Sequence, residues 1–477
     1  MEFKTVIGLE IHVQLKTKSK MFCGCDNKAE QAEPNSLVCP VCLGLPGVLP
    51  VANKQAIEWT LKTGLALNSK IANFSKFDRK HYFYPDSPKN YQISQYDMPF
   101  CEGGYLEIRN NKEEIRKISL TRIHLEEDAG KLIHADDGTL IDLNRAGTPL
   151  MEIVTNPDIS SPEEAKIFMQ ELRSILRYLS VTEASMEKGH MRCDANISVS
   201  ENKNDKWEMG VPVEIKNMNS FRMVERALLY EEKRQKELLE KGEKIVKETR
   251  GWNDVSGETY SQRSKEFAQD YRYFPEPDIP PFEISDEEIE EIRKEIPELP
   301  AEKRKRYLDW EKGFKIPTKE VADILVQEKA TAEYFEKLAK LVHPVTAANW
   351  IINILGVENI DKVDCQKLGE LLSLLENHKI TGSNAKEVLE IMMETGKNAS
   401  TIIQEKGITP PKDQSEIANI VNKVVEDNSK VVDDINNGKK EALGFLVGQV
   451  MGQMKGQADP KLVKELIENL IKFKKEL

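Results

Sequence analysis

A change of sequence pattern near residue 290 constrains the fold of this chain more than any other feature. Six of the 22 prolines lie between Pro275 and Pro300, and such a stretch sustains neither a long helix nor a central strand. Before it, short runs such as TVIGLEIHVQL alternate apolar and polar residues as strands do, with helical stretches between them. After it, apolar residues recur with the helical period of about 3.6. The pattern therefore predicts an α+β domain followed by all-α domains.

Two breaks divide the chain into three predicted domains. A prior of about 150 residues per domain gives roughly three folding units for 477 residues. The first break is the proline-rich stretch, and the second is GITPPKD at residues 407–413. We expect an α+β domain at 1–292, an all-α helical domain at 293–408 and a small α-helical tail domain at 409–477.

Composition excludes several classes of protein. The chain is 39% hydrophobic and 31% charged, which fits globular domains and excludes a disordered or collagen-like chain. No apolar run approaches the ~18 to 20 residues of a membrane helix, and Glu2 and Glu10 stand where a signal peptide would be basic and then apolar. We expect a cytoplasmic protein without a membrane segment. A net charge of −12 disfavours holding nucleic acid by bulk charge, although local basic patches suffice for RNA recognised by shape.

Four of the seven cysteines fall within twenty residues, in the spacing C-x-C-x13-C-x-x-C. Two close pairs of this kind resemble two knuckles that close on one tetrahedral zinc ion. With four thiolate ligands the ion has no open position for water, so we predict a structural Zn²⁺ site. One alternative is four reduced cysteines without a metal, although paired close spacings rarely arise without a ligand role. The other is disulfides, which a cytosolic location disfavours. The predicted ligands are Cys23, Cys25, Cys39 and Cys42.

Polar side chains follow the predicted strands on one face. In LEIHVQL, Glu10, His12 and Gln14 share a face because side chains alternate with a period of two. Acids and amides with one histidine suit a hard cation such as Mg²⁺, which takes oxygen ligands and tolerates an imidazole. The alternative is that each polar face is the wet side of an antiparallel sheet. Other strands and strand ends contribute Glu126, Glu127, Asp128, Glu152, Asp194, Asn196, Ser198, Glu214 and Lys216.

Two basic and aromatic runs, residues 76–97 and 263–280, accompany these acids. Lysine and arginine can clamp phosphate oxygens, and tyrosine can stack on a base, whereas ordinary core packing is the alternative for the aromatic residues. The chain has no G-x-x-x-x-G-K-[ST] loop, so a metal and basic side chains would have to hold the phosphates of a nucleotide. The basic residues that core packing explains least well are Lys80, Lys89, Arg263 and Arg272.

In the tail, glycines repeat every four residues and form a bare stripe on a predicted helix. Each helical glycine costs roughly 1 kcal/mol relative to alanine, so a close approach has to compensate. The candidates are a neighbouring helix, which the pattern slightly favours, or a nucleic-acid backbone. The stripe consists of Gly444, Gly448, Gly452 and Gly456.

Seven motifs along the chain together identify a family resemblance. They are VIGLEIHVQL, HYFYPDSPKNYQISQYD, HLEEDAGK, DLNRAGTPLMEIV, RCDANISV, VEIKNMNSF and DYRYFPEPDIP. They resemble the GatB family, which comprises the B subunits of bacterial aspartyl/glutamyl-tRNA amidotransferases, and the glycine-rich tail resembles its YqeY-like domain. The resemblance covers nearly the whole chain and implies a cradle domain of glutamine-synthetase-like fold with an antiparallel sheet, then a helical domain and a tail domain.

The resemblance also implies an activity. Such proteins are the kinase and transamidase part of a heterotrimer whose other members are an amidase, the A subunit, and a small C subunit. They act as carbon–nitrogen ligases with glutamine as nitrogen donor and convert misacylated Glu-tRNA(Gln), and often Asp-tRNA(Asn), to the amide. ATP and Mg²⁺ are the implied cofactors, and the amidase supplies the ammonia.

Carried over by resemblance, the metal site falls on His12, Glu127 and Glu152. Glu10, Asp194 and Glu214 lie close by, either as further Mg²⁺ ligands or as residues that support the ligands. We predict that the catalytic residues are Glu10, Glu127, Lys80 and Arg272. We predict that the cofactor-binding residues are Lys89, Lys131, Lys216 and Arg263. Because only part of the family carries the cysteine cluster, the resemblance supports a structural role for zinc. The resemblance also predicts that the glycine stripe faces tRNA.

Two other functions are compatible with the sequence. One is a non-catalytic, zinc-stabilised tRNA-binding subunit, in which the acids only line a wet sheet. The other is a glutamine-synthetase-like enzyme acting on free glutamate, which would leave the tail unexplained. Metal stoichiometry separates the first from the amidotransferase, because zinc alone suits a binding protein and an added, weaker Mg²⁺ suits the enzyme.

Overall fold

The structure, a computed structural model, describes residues 2–203, 206–264, 270–309, 311, 313–408, 414–436, 441–454, 458 and 460–476. It divides into two compact units, Met1–Leu299 and Pro300–Leu477. In the described residues all strands lie in the first unit and the second is helical, which confirms the α+β class. None of the helices in the described ranges is long and apolar enough to cross a membrane.

The first unit contains most of the regular structure around the predicted site. Its strands are β1 (Phe3–Gln14), β2 (Lys70–Ile71), β3 (Phe74–Ser75), β4 (Asp78–His81), β5 (Tyr91–Ser94), β6 (Cys101–Glu102), β7 (Tyr105–Arg109), β8 (Ile115–Glu127), β9 (Lys131–Ala135), β10 (Gly138–Asp142), β11 (Pro149–Thr155), β12 (Met191–Lys203), β13 (Lys206–Glu208), β14 (Val213–Met218), β15 (Glu248–Asn253), β16 (Glu258–Ser264), β17 (Phe274–Pro275) and β18 (Phe282–Glu283). Its helices are α1 (Lys54–Ala66), α2 (Pro162–Tyr178), α3 (Phe221–Glu240) and α4 (Asp286–Lys294), with a 3-10 turn at Ala29–Gln31.

The large sheet runs in the order β16, β15, β14, β12, β1, β11, β8, β6 and β2, with β13 beside β12 and β7 beside β8. Every neighbouring pair is antiparallel except β14 and β15, which are parallel. The sheet is therefore mixed, in contrast to the antiparallel sheet that the resemblance implies. The reason lies in the connection, since α3 runs between these two strands and a parallel neighbour needs such a crossover. The likeness to a glutamine-synthetase fold stays a prediction.

The two faces of strand β1 differ, since one face is apolar and the other is mostly polar near the predicted site. Its odd-numbered residues, such as Leu9 and Ile11, are fully buried in one hydrophobic cluster with Phe168 of α2 and Ala227 of α3. Helix α2 begins at an N-cap, where the Ser161 side chain accepts a hydrogen bond from the backbone of the first turn. With the helices on the odd face, the even-numbered polar residues project to the other side. Strands β17, β4 and β5 form a small sheet whose side chains contact β8 on that side.

The second unit is helical in its described residues and holds two separate hydrophobic clusters, one from Tyr307 to Ile402 and one from Ile417 to Ile471. Its helices are α5 (Pro300–Leu308), α6 (Lys319–Val326), α7 (Lys329–Leu338), α8 (Pro344–Trp350), α9 (Cys365–Glu376), α10 (Gly382–Thr395), α11 (Ala399–Lys406), α12 (Gln414–Asp427), α13 (Ser429–Asn436), α14 (Glu441–Met454) and α15 (Pro460–Glu476). A π-helical turn spans Ile351–Leu355 and a 3-10 turn spans Val357–Asn359.

The glycine stripe on α14 faces open space. A Cβ added at Gly444, Gly448 or Gly452 would meet no heavy atom within 4 Å. The opposite side of α14 packs into the second cluster through Leu446 and Val450. The sequence pattern slightly favours a neighbouring helix on the stripe, but within the described part of the chain no helix packs there. Gly456 lies outside the described residues.

Candidate active site and metal centres

Strand register brings histidine and carboxylate side chains from three strands into one row. His12 of β1 is the cross-strand partner of Glu152 of β11, and Glu152 is in turn the partner of His124 of β8. Directly opposed residues of paired strands project to the same face, so the three side chains meet. Glu126 lies two residues beyond His124 and shares its face.

The resulting group, which we call the acid centre, consists of His12, His124, Glu126 and Glu152. The Oε2 atom of Glu152 lies 3.4 Å from Nε2 of His12 and 3.2 Å from Nε2 of His124. His124 Nε2 lies 3.9 Å from Oε2 of Glu126. One ligand atom each from His12, Glu126 and Glu152 lie within 4.8 Å of one another. Two carboxylates and an imidazole at this spacing fit a divalent cation that prefers oxygen ligands.

Glu126 also contacts one polar and one charged side chain from the small sheet of β17, β4 and β5. Its Oε2 atom accepts a hydrogen bond of 2.9 Å from the Ser94 hydroxyl of β5 and lies 3.8 Å from Nζ of Lys80 on β4. The charge of Glu126 raises the pKa of Lys80 although burial opposes this. A fixed positive charge therefore lies directly beside the acid centre.

The carboxylates of the acid centre are buried, and neighbouring groups oppose the effect of burial on their pKa values. Burial alone would raise the pKa of Glu126, but the charge of Lys80 and the hydrogen bond of His124 hold it at about 2. His124 and His12 likewise hold the pKa of Glu152 well below its usual value against the effect of burial. Burial alone would lower the pKa of His124, but Glu152 outweighs this and raises it to about 9. Because His124, Glu126 and Glu152 are only 2%, 2% and 8% exposed, the wet-face alternative is wrong at these positions.

Glu127 points away from the acid centre. As the neighbour of Glu126 on β8, it projects to the opposite face, where its Oε1 atom accepts a hydrogen bond of 2.9 Å from the backbone N–H of Ile93. The same oxygen forms an ion pair with Lys89. The structure thus brings Glu126, and not Glu127, to His12 and Glu152. Lys89 lies with Glu127 rather than with the acid centre.

A second polar group lies on the next strands of the same sheet. Glu10 is the cross-strand partner of Asp194, and its Oε1 atom accepts a hydrogen bond of 3.2 Å from the side chain of Asn196. Lys216 forms ion pairs with Asp194 and, at 3.4 Å, with Glu214. Burial raises the pKa of Glu10, and Glu152, Asp194 and Glu214 add to the effect through their negative charge. A cation in this position would relieve that repulsion.

Lys131 and Arg272 are not among the partners of either group in the described residues. Lys131 is exposed on the hairpin of β9 and β10. Arg272 is exposed and has a φ of +46°. Arg263 stands opposite Thr249 in β16, and its side chain lies outside the described residues.

An aromatic segment flanks Lys80. Nζ of Lys80 lies 5.2 Å from the centre of the Tyr271 ring, and the rings of Tyr96 and Tyr273 stack with centroids 4.4 Å apart. The segment is held to β4 because Arg79 forms an ion pair of 2.7 Å with Glu276. Exposed aromatic faces beside a cationic side chain can stack on a nucleic-acid base.

Reasoning from the sequence does not select His124 for the acid centre and gives Glu126 no individual role. The alternation in RIHLEE carries the signal for both, since His124 and Glu126 alternate with the apolar residues Ile123 and Leu125. Both apolar residues are fully buried, which fixes the face on which the polar pair lies.

The four clustered cysteines form the second candidate metal centre. One sulfur each of Cys23, Cys25, Cys39 and Cys42 lies within 4.8 Å of the others. The backbone N–H of Cys39 donates a hydrogen bond of 3.2 Å to Sγ of Cys42, as a tight turn between two thiolate ligands allows. The hydrogen bond from Cys23 holds the pKa of Cys42 at about 4. Four converging sulfurs fit tetrahedral zinc.

The fold and the two clusters define a class of protein, namely a multidomain α+β protein with a candidate divalent-cation centre on a sheet face and a separate cysteine site. Comparison with known families then gives two matches. Residues 5–290 match the GatB/GatE catalytic domain, and residues 333–471 match the GatB domain. The chain therefore belongs to the GatB family, and the resemblance stated from its motifs is confirmed.

Similar proteins match along their whole length. A protein of Thermodesulfovibrio yellowstonii is 52% identical over 482 residues, which cover 99% of this chain and 100% of that protein. A protein of Thermoanaerobacter sp. is 49% identical, covering 98% of this chain and 99% of its own length. A protein of Thermotoga maritima is 48% identical, with 99% of each chain covered. All three are named as the B subunit of an aspartyl/glutamyl-tRNA(Asn/Gln) amidotransferase.

Proposed function

We propose that this chain activates and amidates the side-chain carboxylate of glutamate on misacylated Glu-tRNA(Gln), and of aspartate on Asp-tRNA(Asn). ATP and Mg²⁺ serve as cofactors, and the product is Gln-tRNA or Asn-tRNA for translation in the cytoplasm. The observation that carries the proposal is the buried acid centre beside Lys80. The names of the full-length relatives support the choice of tRNA as substrate.

The chemistry explains why a metal centre and ATP are needed. A carboxylate is a poor acceptor for ammonia because its oxygen is a poor leaving group. In the first step a carboxylate oxygen of the aminoacyl group attacks the γ-phosphorus of ATP, and the bond to the β–γ bridging oxygen breaks to release ADP. In the second step ammonia attacks the acyl carbon, phosphate leaves with the C–O electron pair, and the nitrogen loses a proton.

The residues of the acid centre have distinct roles in this proposal. His12, Glu126 and Glu152 hold Mg²⁺, and Glu10, Asp194 and Glu214 bind a further cation or orient the first site. When bound, the metal offsets negative charge on the phosphoryl group and positions donor and acceptor. Lys80 supplies fixed positive charge beside Glu126.

The predicted roles of the other basic residues remain proposals. Lys89 and Lys216 are held in ion pairs with Glu127 and Asp194, so each would have to leave its carboxylate to bind ATP. Lys131, Arg263 and Arg272 are proposed as contacts to ATP or to the acyl-tRNA. Glu127 is proposed to act through Lys89, since its carboxylate faces that side chain.

The remaining parts of the protein are assigned to structure and recognition. We propose that the cysteine cluster holds a structural Zn²⁺ and that ammonia arrives from an amidase, the A subunit of a heterotrimer that also contains a small C subunit. Residues 1–292 would form the catalytic cradle of glutamine-synthetase-like fold. Residues 293–408 and the YqeY-like domain at 409–477 would bind the outer part of tRNA.

An acyl-phosphate trap tests the proposal. The chain assembled with its partner subunits is incubated with Glu-tRNA(Gln), Mg-ATP and hydroxylamine, without glutamine or ammonia. We expect tRNA-bound glutamyl hydroxamate and ADP in equal amounts from the wild type, and neither from Glu126→Gln. A complex that binds tRNA but forms no hydroxamate in the wild type would instead favour a subunit that only binds tRNA.

A further inference from the structure

Lys20 is a fully buried lysine beside the cysteine cluster. Its Nζ donates a hydrogen bond of 2.7 Å to the carbonyl of Leu37, and it lies 3.5 Å from the carbonyl of Leu143 and 3.8 Å from Sγ of Cys42. In the described ranges, no carboxylate forms an ion pair with this ammonium group. Its charge is therefore balanced by no acidic side chain among these residues.

A buried ammonium group without a counter-charge is strongly destabilising. Carbonyl dipoles satisfy its protons but do not neutralise it. Neutral thiols or disulfides would leave the charge of Lys20 uncompensated, whereas four thiolates around one divalent cation carry two negative charges in excess. A metal-bound tetrathiolate therefore supplies the missing charge next to Nζ, and it does so with all four cysteines in one defined state.

We propose that Lys20 is a positioning residue of the cysteine site, acting as the buried counter-ion of a metal tetrathiolate through an N–H···S contact to Cys42. The proposal rests on the metal-binding role of the cluster and adds a fifth side chain to it. Outer-shell groups of this kind orient metal ligands and tune the electron density on them.

The position of Lys20 links the metal site to the sheet that carries the acid centre. Leu37 belongs to the loop between the cysteine pairs, and Leu143 follows the hairpin of β9 and β10. These two segments also contact each other directly, because the Leu37 N–H donates a hydrogen bond of 2.8 Å to the side chain of Asn144. Lys20 thus contacts both the loop between the cysteine pairs, at Leu37, and the segment that leads into β11, at Leu143.

Zinc release from Lys20→Met tests the proposal, with Lys18→Met as the matched control because Lys18 is an exposed neighbour. Methionine keeps an unbranched apolar stem and removes the charge. We expect zinc transfer to a chromogenic chelator to be roughly 10- to 100-fold faster in Lys20→Met than in the wild type. The sulfur-to-metal charge-transfer bands of the Co²⁺-substituted protein should also shift to lower energy, because the thiolates become richer in electrons. Lys18→Met should match the wild type.

Unchanged release and unchanged bands in a folded Lys20→Met variant would overturn the proposal. Wild-type protein that binds neither Zn²⁺ nor Co²⁺ would overturn the metal-binding role itself and the role of Lys20 with it. If Lys20→Met does not fold, the proposal is tested by measuring amine acetylation of Lys20 in the reduced full-length wild type, with and without zinc. We expect Lys20 to be protected in the zinc-loaded protein and acetylated after chelation, with Lys18 as the internal reference. Equal labelling of Lys20 in both states would contradict the proposal.

Discussion

At the scale of single residues, the face of a strand decides which carboxylate belongs to the acid centre. Glu126 and Glu127 are adjacent on β8, and the period of two sends them to opposite sides of the sheet. Glu126 meets His124 and Lys80, whereas Glu127 meets Lys89. A motif match alone does not separate two neighbouring glutamates, because it does not show on which face each one lies.

The first prediction compares these two glutamates directly. Glu126→Gln should weaken Mn²⁺ binding at the acid centre by at least the roughly 10- to 100-fold that loss of an outer-shell group costs, because it removes the charge of a ligand oxygen. Glu127→Gln should leave Mn²⁺ affinity within about twofold of the wild type, since its carboxylate lies on the opposite face and contributes no ligand. Mn²⁺ titration followed by electron paramagnetic resonance measures both. The opposite order of effects would return Glu127 to the ligand set.

Much of the acid centre could be predicted at this scale, and the missing part has a physical reason. Alternation identified Glu10 and His12, and the strand ends drew attention to Glu152. The sequence does not predict His124 as a member of the acid centre, because a single histidine between apolar residues does not reveal its cross-strand partner. Only the pairing of β8 with β11 places it opposite Glu152.

At the scale of elements, one carboxylate joins two helices of the second unit. Oε1 of Glu336 on α7 accepts hydrogen bonds of 2.6 Å from Lys303, 2.7 Å from Arg306 and 2.9 Å from the hydroxyl of Tyr307, all on α5. Burial raises the pKa of Glu336, but these three donors outweigh it and lower the pKa below the ordinary value of 4.5. The contact stabilises the fold only while the carboxylate is charged.

The second prediction follows from the sign of that shift. Because the pKa of Glu336 is depressed in the folded state, its contribution is fully present above pH 4.5 and is lost as pH falls through the lower folded value. Glu336→Gln should reduce the free energy of unfolding by about 1 to 3 kcal/mol at pH 7. Amide hydrogen exchange in α5 and α7 at pH 7, with urea denaturation at pH 7 and near pH 3, measures the loss.

Glu333→Gln on the same helix serves as the control, since Glu333 is exposed. It should have little effect at either pH. A destabilisation by Glu336→Gln that is equally large near pH 3 would show that the charge of Glu336 is not its cause.

The third prediction concerns the glycine stripe of α14. Replacing Gly444, Gly448 and Gly452 by alanine should stabilise this helix by roughly 1 kcal/mol per position, because each added Cβ meets open space. If the stripe lies against an RNA backbone, as the family resemblance implies, the same change should weaken tRNA binding. Thermal unfolding and tRNA anisotropy titration at fixed salt measure the two effects.

Gln449→Ala provides the matched control on the same helix, because Gln449 is exposed and lies off the stripe. It should leave tRNA affinity unchanged. Stabilisation of the triple variant without any loss of tRNA affinity would remove the stripe from the recognition surface.

At the scale of the whole molecule, the change of hydrophobic period predicted the division of structure classes. Strand alternation before the prolines and helical periodicity after them correspond to the strands of the first unit and the helices of the second. The parallel pair of β14 and β15 was not predictable, since the order of strands depends on long-range pairing that local patterns do not record. For the same reason the sequence does not predict that the glycine stripe faces open space.

The first unit carries two separate groups of side chains that could each hold a metal ion. The acid centre is buried on strands whose other face packs into the hydrophobic core, and aromatic residues flank it on one side. The cysteine cluster is separate from it and is closed by four sulfurs. This separation is consistent with the proposed enzyme, in which one cation takes part in catalysis and the other is structural.

The most direct test of the central claim is amidation of labelled Glu-tRNA(Gln) under Mg-ATP with ammonium chloride as nitrogen source. The chain is assembled with its partner subunits, and supplied ammonia bypasses the amidase. We predict Gln-tRNA from the wild type and a loss of at least about 100-fold in Glu126→Gln, as expected when a metal that stabilises the transition state is lost. Both proteins should bind tRNA equally. Equal amidation by wild type and Glu126→Gln would contradict the assignment of activation chemistry to the acid centre.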